Sequence, residues 1–424
     1  MDLPRGMRDI EPSESVTMEF VRQKFIETSN LFGFQFMEPS PIELLSVIEA
    51  KSGPAIKNEV YFFTDKGDRD IALRFDFTIG LTRYAVSQKS MRLPAKFSSF
   101  GGVWRYDEPQ KGRYRFFHQW DIEIYGEQNT ESDAEIIDFA SKFFARLGLE
   151  NITIEVCDRA LVESYVKMIF KTDSAEMIAD ILRAIDKVPK KKRQDIIREY
   201  QEKGYSPEDL EKVISISQIR GKPREVEGLI ETGNLANWDK ILQLFDSLEN
   251  RGVGNAMVNF GIVRGLDYYS GIIFEIFDST SDLGALVGGG RYDTLTRAFG
   301  RDDLGATGAA GGVERIVHSL EMQGIGGRQE AYRVWVAFVN DEMRKIAINL
   351  ASALRMKGIR AEVDLSGKSL RKQMEMASSS GHAVIVAPKE YGEGSVVVRN
   401  MKDGTERRVR LESMLADPLA NLQS

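Results

Sequence analysis

One cysteine, Cys157, and three scattered histidines, His118, His318 and His382, are all that 424 residues offer to a disulfide or a structural zinc ion. A lone thiol forms no internal bridge, and no Cys/His spacing here matches a zinc site. No apolar run approaches the roughly 20 residues that span a bilayer. The opening MDLPRGMRDIEPSES lacks the apolar core of a secretory signal. A cytoplasmic protein without membrane contact is therefore expected. The pattern G-x-x-x-x-G-K-[ST] occurs nowhere, which excludes a P-loop. A net charge of −7 excludes nucleic-acid binding driven by overall charge, so any RNA partner must be met by local basic stretches.

What is present reads as a multidomain globular chain, with 42% apolar and 29% charged residues. Between Ser13 and Phe32, Met18, Val21, Phe25, Thr28 and Leu31 recur at helical spacing, and Gly33 ends the run. The prolines Pro39 and Pro41 then suit an edge or interface strand. VYFFTD, IALRFDFT, KFSSFGGVWRYDE and RYRFFHQWDIEIYG follow as strands joined by short turns, which predicts an antiparallel sheet. A helix over about 132–147 is expected next, with Thr130 and Asp133 placed like a capping box and Gly148 as its stop. From 161 to 250 the chain turns helical and highly charged, an inserted module whose run Lys190 to Arg193 reads as a solvated helix face. Strand character resumes from 251 to 325. After the GIGGRQE linker, alternating strands and helices predict a separate α/β domain over 331–424, closing on a hairpin at Asp403-Gly404.

Two stretches carry chemistry. In WRYDEPQKGRYRFFHQ, Arg105, Lys111, Arg113 and Arg115 lie on two arms around a Pro-Gln-Lys-Gly turn, a placement suited to gripping phosphate, with Phe117 able to cover a purine. A solvated hairpin with an apolar back is the plainer alternative. In VRGLDYYSG, a cation, an acid and two phenols crowd between glycines. Alternation in QWDIEIYG puts Gln119, Asp121 and Glu123 on one face and Trp120, Ile122 and Ile124 on the other. The glycines Gly305, Gly308, Gly311 and Gly312 follow a strand-rich region instead of opening a βαβ unit, so they read as close backbone approach, not a dinucleotide loop.

The arginine hairpin resembles motif 2 of the class II aminoacyl-tRNA synthetases, in the form seen in the histidyl-tRNA synthetase family. PRGMRD (4–9), RGLDYY (264–269), GGRYD (289–293), GGVERI (311–316) and EVDLSGKSLRKQM (362–374) resemble further signatures of that family, so the likeness runs through nearly the whole chain. It implies an α+β fold: an antiparallel sheet core flanked by helices over 1–160 and 251–325, an inserted helical domain over 161–250 and an anticodon-binding α/β domain over 331–424. It implies histidine-tRNA ligase activity with ATP, L-histidine and tRNA(His) as partners, a homodimer, and Mg2+ carried mainly by the nucleotide with no side-chain metal site.

By the same resemblance, Arg105 and Arg264 face each other over the ATP α-phosphate as the catalytic pair. Phe117 and Arg315 sandwich the adenine, Asp107 contacts it, and Arg113 reaches the outer phosphates. Asp76, Phe77, Thr78, Gln119, Glu123, Tyr268, Tyr269 and Tyr292 form the histidine pocket, while Gln110, Lys111 and Arg115 meet the tRNA acceptor end. Asp76 and Asp107 stand where the family usually has glutamate, and the interface strand has prolines on both sides of Ser40 instead of at the usual site. Two rival readings are a regulatory paralogue that binds ligands without charging tRNA, and a sister enzyme for another amino acid. The carboxy-terminal domain and the complete RGLDYY speak against the first, the tyrosines and Glu123 against the second.

Overall fold

A computed structural model describes residues 2–106, 108, 114–188, 191–229, 235–263, 269–325 and 333–423. The chain divides into two compact units, Met1–Gly327 and Arg328–Ser424.

The first unit begins with α1 (Pro12–Leu31), whose Met18, Val21, Phe25 and Thr28 are buried as the spacing predicts, while Leu31 is 69% exposed. There follow β1 (Gln35–Phe36), β2 (Ile42–Leu44), α2 (Leu45–Ser52), β3 (Phe62–Thr64), β4 (Asp70–Leu73), α3 (Thr78–Ser87), β5 (Ala95–Trp104), β6 (Phe116–Gly126), α4 (Thr130–Leu147) and β7 (Ile152–Asp158). The helical stretch comprises α5 (Arg159–Phe170), α6 (Ala175–Lys187), α7 (Arg193–Glu202), α8 (Pro207–Ile216), a two-residue β8 (Arg220–Gly221), α9 (Pro223–Glu227) and α10 (Trp238–Asn250). The sheet resumes with β9 (Ala256–Asn259), β10 (Ile272–Asp278), β11 (Val287–Arg291), α11 (Asp293–Ala298), β12 (Gly305–Gly312) and α12 (Val313–Met322).

Nine strands form one sheet in the order β1-β5-β6-β12-β11-β10-β7-β9-β8. Its centre, from β5 to β7, is antiparallel throughout, as expected, but β1 on β5 and β9 on β7 pair parallel. The interruption after β7 explains the second case, because the inserted helices form the crossover that a parallel return requires. β2, β4 and β3 make a separate small sheet. One apolar core runs from Phe25, Trp120, Phe139 and Phe143 through Val156 to Leu161, Ile181, Trp238 and Leu244. The inserted helices thus share the core of the sheet, because the apolar stripes of α5 and α10 pack against it; only Ala184, Ile196, Tyr200, Leu210 and Ile214 form a small core of their own. In the basic run, Lys191 pairs with Glu199 and Arg193 with Glu211, as on a solvated helix face, while Lys190 lies outside the described residues.

Two local expectations need correcting. The cap of α4 is Asn129, whose side chain accepts from the Ser132 amide, and not Thr130, which is already helical; Gly148 does close the helix in the left-handed region at φ +83°. The strand read through IALRFDFT ends at Leu73, and Thr78 opens α3.

The second unit contains β13 (Arg333–Phe338), α13 (Asp341–Met356), β14 (Arg360–Val363), α14 (Leu370–Met376), β15 (His382–Val386), α15 (Pro388–Gly392), β16 (Ser395–Asn400), β17 (Glu406–Arg410), α16 (Leu411–Ala416) and α17 (Pro418–Gln423). Its sheet runs β14-β13-β15-β16-β17, parallel in the first three strands and antiparallel in the last three. Gly404, at φ +76°, turns the β16–β17 hairpin where Asp403-Gly404 predicts it.

Candidate active site

Strand β6 lies inside the sheet and is buried on both faces. Trp120, Ile122 and Ile124 join the main core, so Gln119, Asp121 and Glu123 point to the opposite side, as the alternation requires. The three are no more than 3% exposed. Three polar side chains in the middle of a sheet cost free energy unless each finds partners, and their partners define the site.

Glu123 accepts a hydrogen bond on Oε2 from the Tyr292 hydroxyl. Directly across the strand pair stands Gly308, where a Cβ would fall 1.6 Å from that same oxygen. The carboxylate therefore lies flat over β12 because β12 carries no side chain there. Asp121 Oδ2 accepts from Thr78 Oγ1 at 3.4 Å and from Gln119 Nε2 at 3.3 Å. Asp76 Oδ1 accepts from the Ile79 amide at 3.2 Å, tying it to the start of α3. Burial pushes the Tyr269 phenol well above its usual range, and Glu123, Glu275, Asp121 and Asp76 push in the same direction. Tyr269 therefore stays a neutral phenol in an acidic surrounding. Such a pocket suits a ligand that presents N–H donors and positive charge.

Beside this pocket opens a cleft of about 360 Å³, lined among others by Arg105, Phe117, Gln119, Glu275, Glu314 and Arg315. Arg105 donates from Nε to the Phe75 carbonyl at 3.0 Å and from Nη2 to Gln119 Oε1 at 3.2 Å, with its guanidinium 5.1 Å from the Phe117 ring centre. Gln119 thus touches both Arg105 in the cleft and Asp121 in the pocket. Arg315, at the start of α12, donates to the Ala285 carbonyl at 2.7 Å. Glu314 accepts from the His118 backbone amide at 2.9 and 3.0 Å. A guanidinium, an aromatic face and a second guanidinium around one cleft can hold phosphate and a planar base.

The pocket is anchored from behind. Arg159, the first residue of α5, donates to the Tyr269 carbonyl at 2.9 Å and pairs with Glu163 at 2.7 Å. Ser270 donates its amide to the Arg291 carbonyl at 2.7 Å, and the buried Arg291 guanidinium bridges Asp133 and Asp293.

Of the residues named from the sequence, Asp76, Thr78, Gln119, Glu123, Tyr269 and Tyr292 surround the acidic pocket, and Arg105, Phe117 and Arg315 line the cleft. Phe77 is fully buried in an apolar cluster, 4.5 Å beneath the Arg74 guanidinium, so its side chain serves packing. Arg115 lies 4.0 Å over the Tyr106 ring at the base of the hairpin. Asp107, Gln110, Lys111, Arg113, Arg264 and Tyr268 lie outside the described residues. Glu275, Glu314 and Tyr114 were not named from the sequence as site residues. For Glu275 a signal existed: an acid set within the apolar run IIFEIF of an interior strand.

A family model described as histidyl-tRNA synthetase matches residues 6–316, and an anticodon binding domain model matches 333–417. The histidine–tRNA ligase of Pyrococcus furiosus is 35% identical over 422 residues, 97% of each chain. That of Thermococcus kodakarensis is 33% identical over 99% of this chain and 98% of its own. The chain belongs to the histidyl-tRNA synthetase family. Among solved structures, histidyl-tRNA synthetase from a Nostoc species shares the fold at a TM-score of 0.84, with 21% identity over 100% of this chain and 98% of that one. The apo histidyl-tRNA synthetase of Staphylococcus aureus does so at 0.73, with 22% identity over 98% and 99%. Family membership gives the acidic pocket and the arginine cleft a common frame: both lie within the span of the synthetase model.

Proposed function

We propose that this chain is a histidine-tRNA ligase that condenses L-histidine with ATP to histidyl-adenylate and diphosphate, then passes the histidyl group to the 3′-terminal ribose of tRNA(His). The observation that carries this reading is the junction at Gln119: an acid-rich pocket with two phenols adjoins a cleft bearing two guanidiniums and a phenyl ring.

In this reading the substrate imidazole lies between Tyr269 and Glu123, with the carboxylate accepting a ring N–H and Tyr292 fixing its orientation. Asp76, Thr78 and Gln119 receive the α-amino group. Arg105 bridges the substrate carboxylate and the α-phosphate, and Arg264 meets the same phosphate from its opposite side, balancing charge as the carboxylate oxygen bonds to phosphorus and diphosphate leaves. Phe117 and Arg315 hold the adenine between them, Asp107 contacts it, and Arg113 takes the outer phosphates. No side-chain nucleophile is needed. A pocket built on hydrogen bonds to a polar ring rejects analogues without those atoms by roughly 10⁴-fold or more.

Mg2+ would travel on the ATP phosphates, in a cleft whose lining includes the carboxylates of Glu275 and Glu314. It would screen phosphate charge, while the protein's own residues position the reactants. Gln110, Lys111 and Arg115 approach the acceptor end of the tRNA, and the unit from 328 onward reads its anticodon. The enzyme works as a homodimer in the cytoplasm; among the described residues no helix is long and apolar enough to cross a membrane. ATP–diphosphate exchange measured with each of the twenty amino acids tests the activity. Exchange with histidine alone is expected; exchange with a different amino acid, or none at all, overturns it.

A further inference from the structure

The PRGMRD stretch is tied to both arms of the arginine hairpin. The Gly6 carbonyl accepts the Arg115 amide at 2.9 Å, and the Arg5 carbonyl accepts Arg115 Nη1 at 3.3 Å. Arg5 itself reaches Glu108 on the other arm at 2.8 Å. The segment turns at Gly6, φ +83°, where Met7 bonds back to the Pro4 carbonyl, and so delivers Arg8 to the cleft side. There the Arg8 guanidinium lies 4.2 Å from the Tyr114 ring centre, and both of its terminal nitrogens are held by the two carboxylate oxygens of Glu14 in the first turn of α1. Tyr114 in turn lines the same cleft as Arg105, Phe117, Glu314 and Arg315.

The two arginines of the segment differ in physical weight. Arg5 and Glu108 are both more than 70% exposed, and such pairs contribute little. Arg8 and Glu14 are 24% and 19% exposed, and their fork-on-fork geometry fixes the plane of the guanidinium as well as its place. A cation fixed over a ring restrains that ring in turn. Lysine could keep the charge but could not both grip two oxygens and present a face.

We propose that Arg8 is a positioning residue for the nucleotide: held by Glu14, it fixes Tyr114 as a wall of the cleft, with Pro4–Arg8 strapping the two arms of the hairpin in place. The proposal rests on the reading of that cleft as the ATP site. It separates nucleotide binding from amino-acid binding, because among the described residues the strap's hydrogen bonds and ion pairs go to the hairpin and to α1.

The test is ATP–diphosphate exchange with Arg8→Ala, Arg8→Lys, Tyr114→Ala and the Arg8→Ala/Tyr114→Ala double variant, with thermal midpoints recorded alongside. Arg8→Ala is expected to raise the KM for ATP about five- to tenfold, with kcat and the KM for histidine within about twofold. Arg8→Lys should recover part of that loss, and the double variant should be no worse than Tyr114→Ala alone. An unchanged KM for ATP, a parallel rise in both KM values, or additive single effects would overturn the proposal. Should Arg8→Ala fail to fold, Tyr114→Ala decides on the same criteria, since it leaves the strap whole. A wild-type chain that exchanges with no amino acid would sink the ATP-site reading instead, whereas an active enzyme with an indifferent Arg8 sinks only the strap.

Discussion

A carboxylate can rest across a β-sheet only where the neighbouring strand leaves room, and Gly308 leaves that room for Glu123. The sequence marks both partners. Alternation in β6 puts Glu123 on the pocket face, and the glycine-rich β12 announces close backbone approach without saying to what. That the glycine and the acid oppose each other follows from register, which no single strand encodes by itself. Gly308→Ala is expected to raise the KM for histidine at least about tenfold and to lower the thermal midpoint, because the new methyl and the Glu123 carboxylate cannot both keep their places. Histidine-dependent exchange beside a melting curve checks this; an unaltered KM would mean that Glu123 is not held by that gap. Glu275 escaped a reading that looked for known patterns, although a lone acid in an interior apolar strand is itself a signal. Phe77 is the converse: the resemblance implies a pocket residue, while its apolar side chain turns into the core.

At the scale of elements, long periodic segments were legible and short ones were not. Helix α1 announces itself by its buried stripe, and the β16–β17 hairpin by its turn. The start of α3 was missed because Phe75 and Phe77 extend an apparent strand pattern, whereas the Asp76 side chain, by accepting the Ile79 amide, favours helix initiation instead. The β3–β4 turn shows the same local chemistry more openly. The Arg69 guanidinium, with the Arg69 and Gly67 amides, holds the Asp65 carboxyl down to about 2. Its folded value lies below the ordinary aspartate value of about 3.9, so its contribution is present above that pH and is lost as pH falls toward 2. Following the Asp65 carboxyl by NMR is expected to show a midpoint near 2, and Asp65→Asn should remove that acid-side loss from the hairpin. A midpoint at the ordinary aspartate value would contradict the turn geometry. The Arg69 partner lies at the surface, 67% exposed, so the effect is local and shrinks with added salt.

For the whole molecule, the sequence predicts a carboxy-terminal α/β domain over 331–424, and the second compact unit of the structure spans Arg328–Ser424. It did not reveal that the inserted helices share a core with the sheet, since an amphipathic stripe declares that a face is buried but not against what. Several large apolar side chains of the first unit stay uncovered: Phe36 on β1, Ile42 and Leu44 on β2, and Phe62 and Phe63 on β3 are each more than 40% exposed. β1 is also an edge strand of the large sheet. Exposed apolar side chains and an open strand edge are features that proteins tend to cover, which supports the proposed homodimer. Leu44→Asp together with Phe62→Asp is expected to shift sedimentation from twice the chain mass to the chain mass and to reduce exchange activity. A wild-type chain that sediments as a monomer would remove the dimer from the reading.

The link from Arg159 to the Tyr269 carbonyl joins the first residue of α5 to the backbone of a residue in the proposed histidine pocket through one hydrogen bond. In the proposed reading of that pocket, a load placed on the inserted helices, by a docked RNA or a deletion that shortens them, has a direct mechanical route to the histidine substrate.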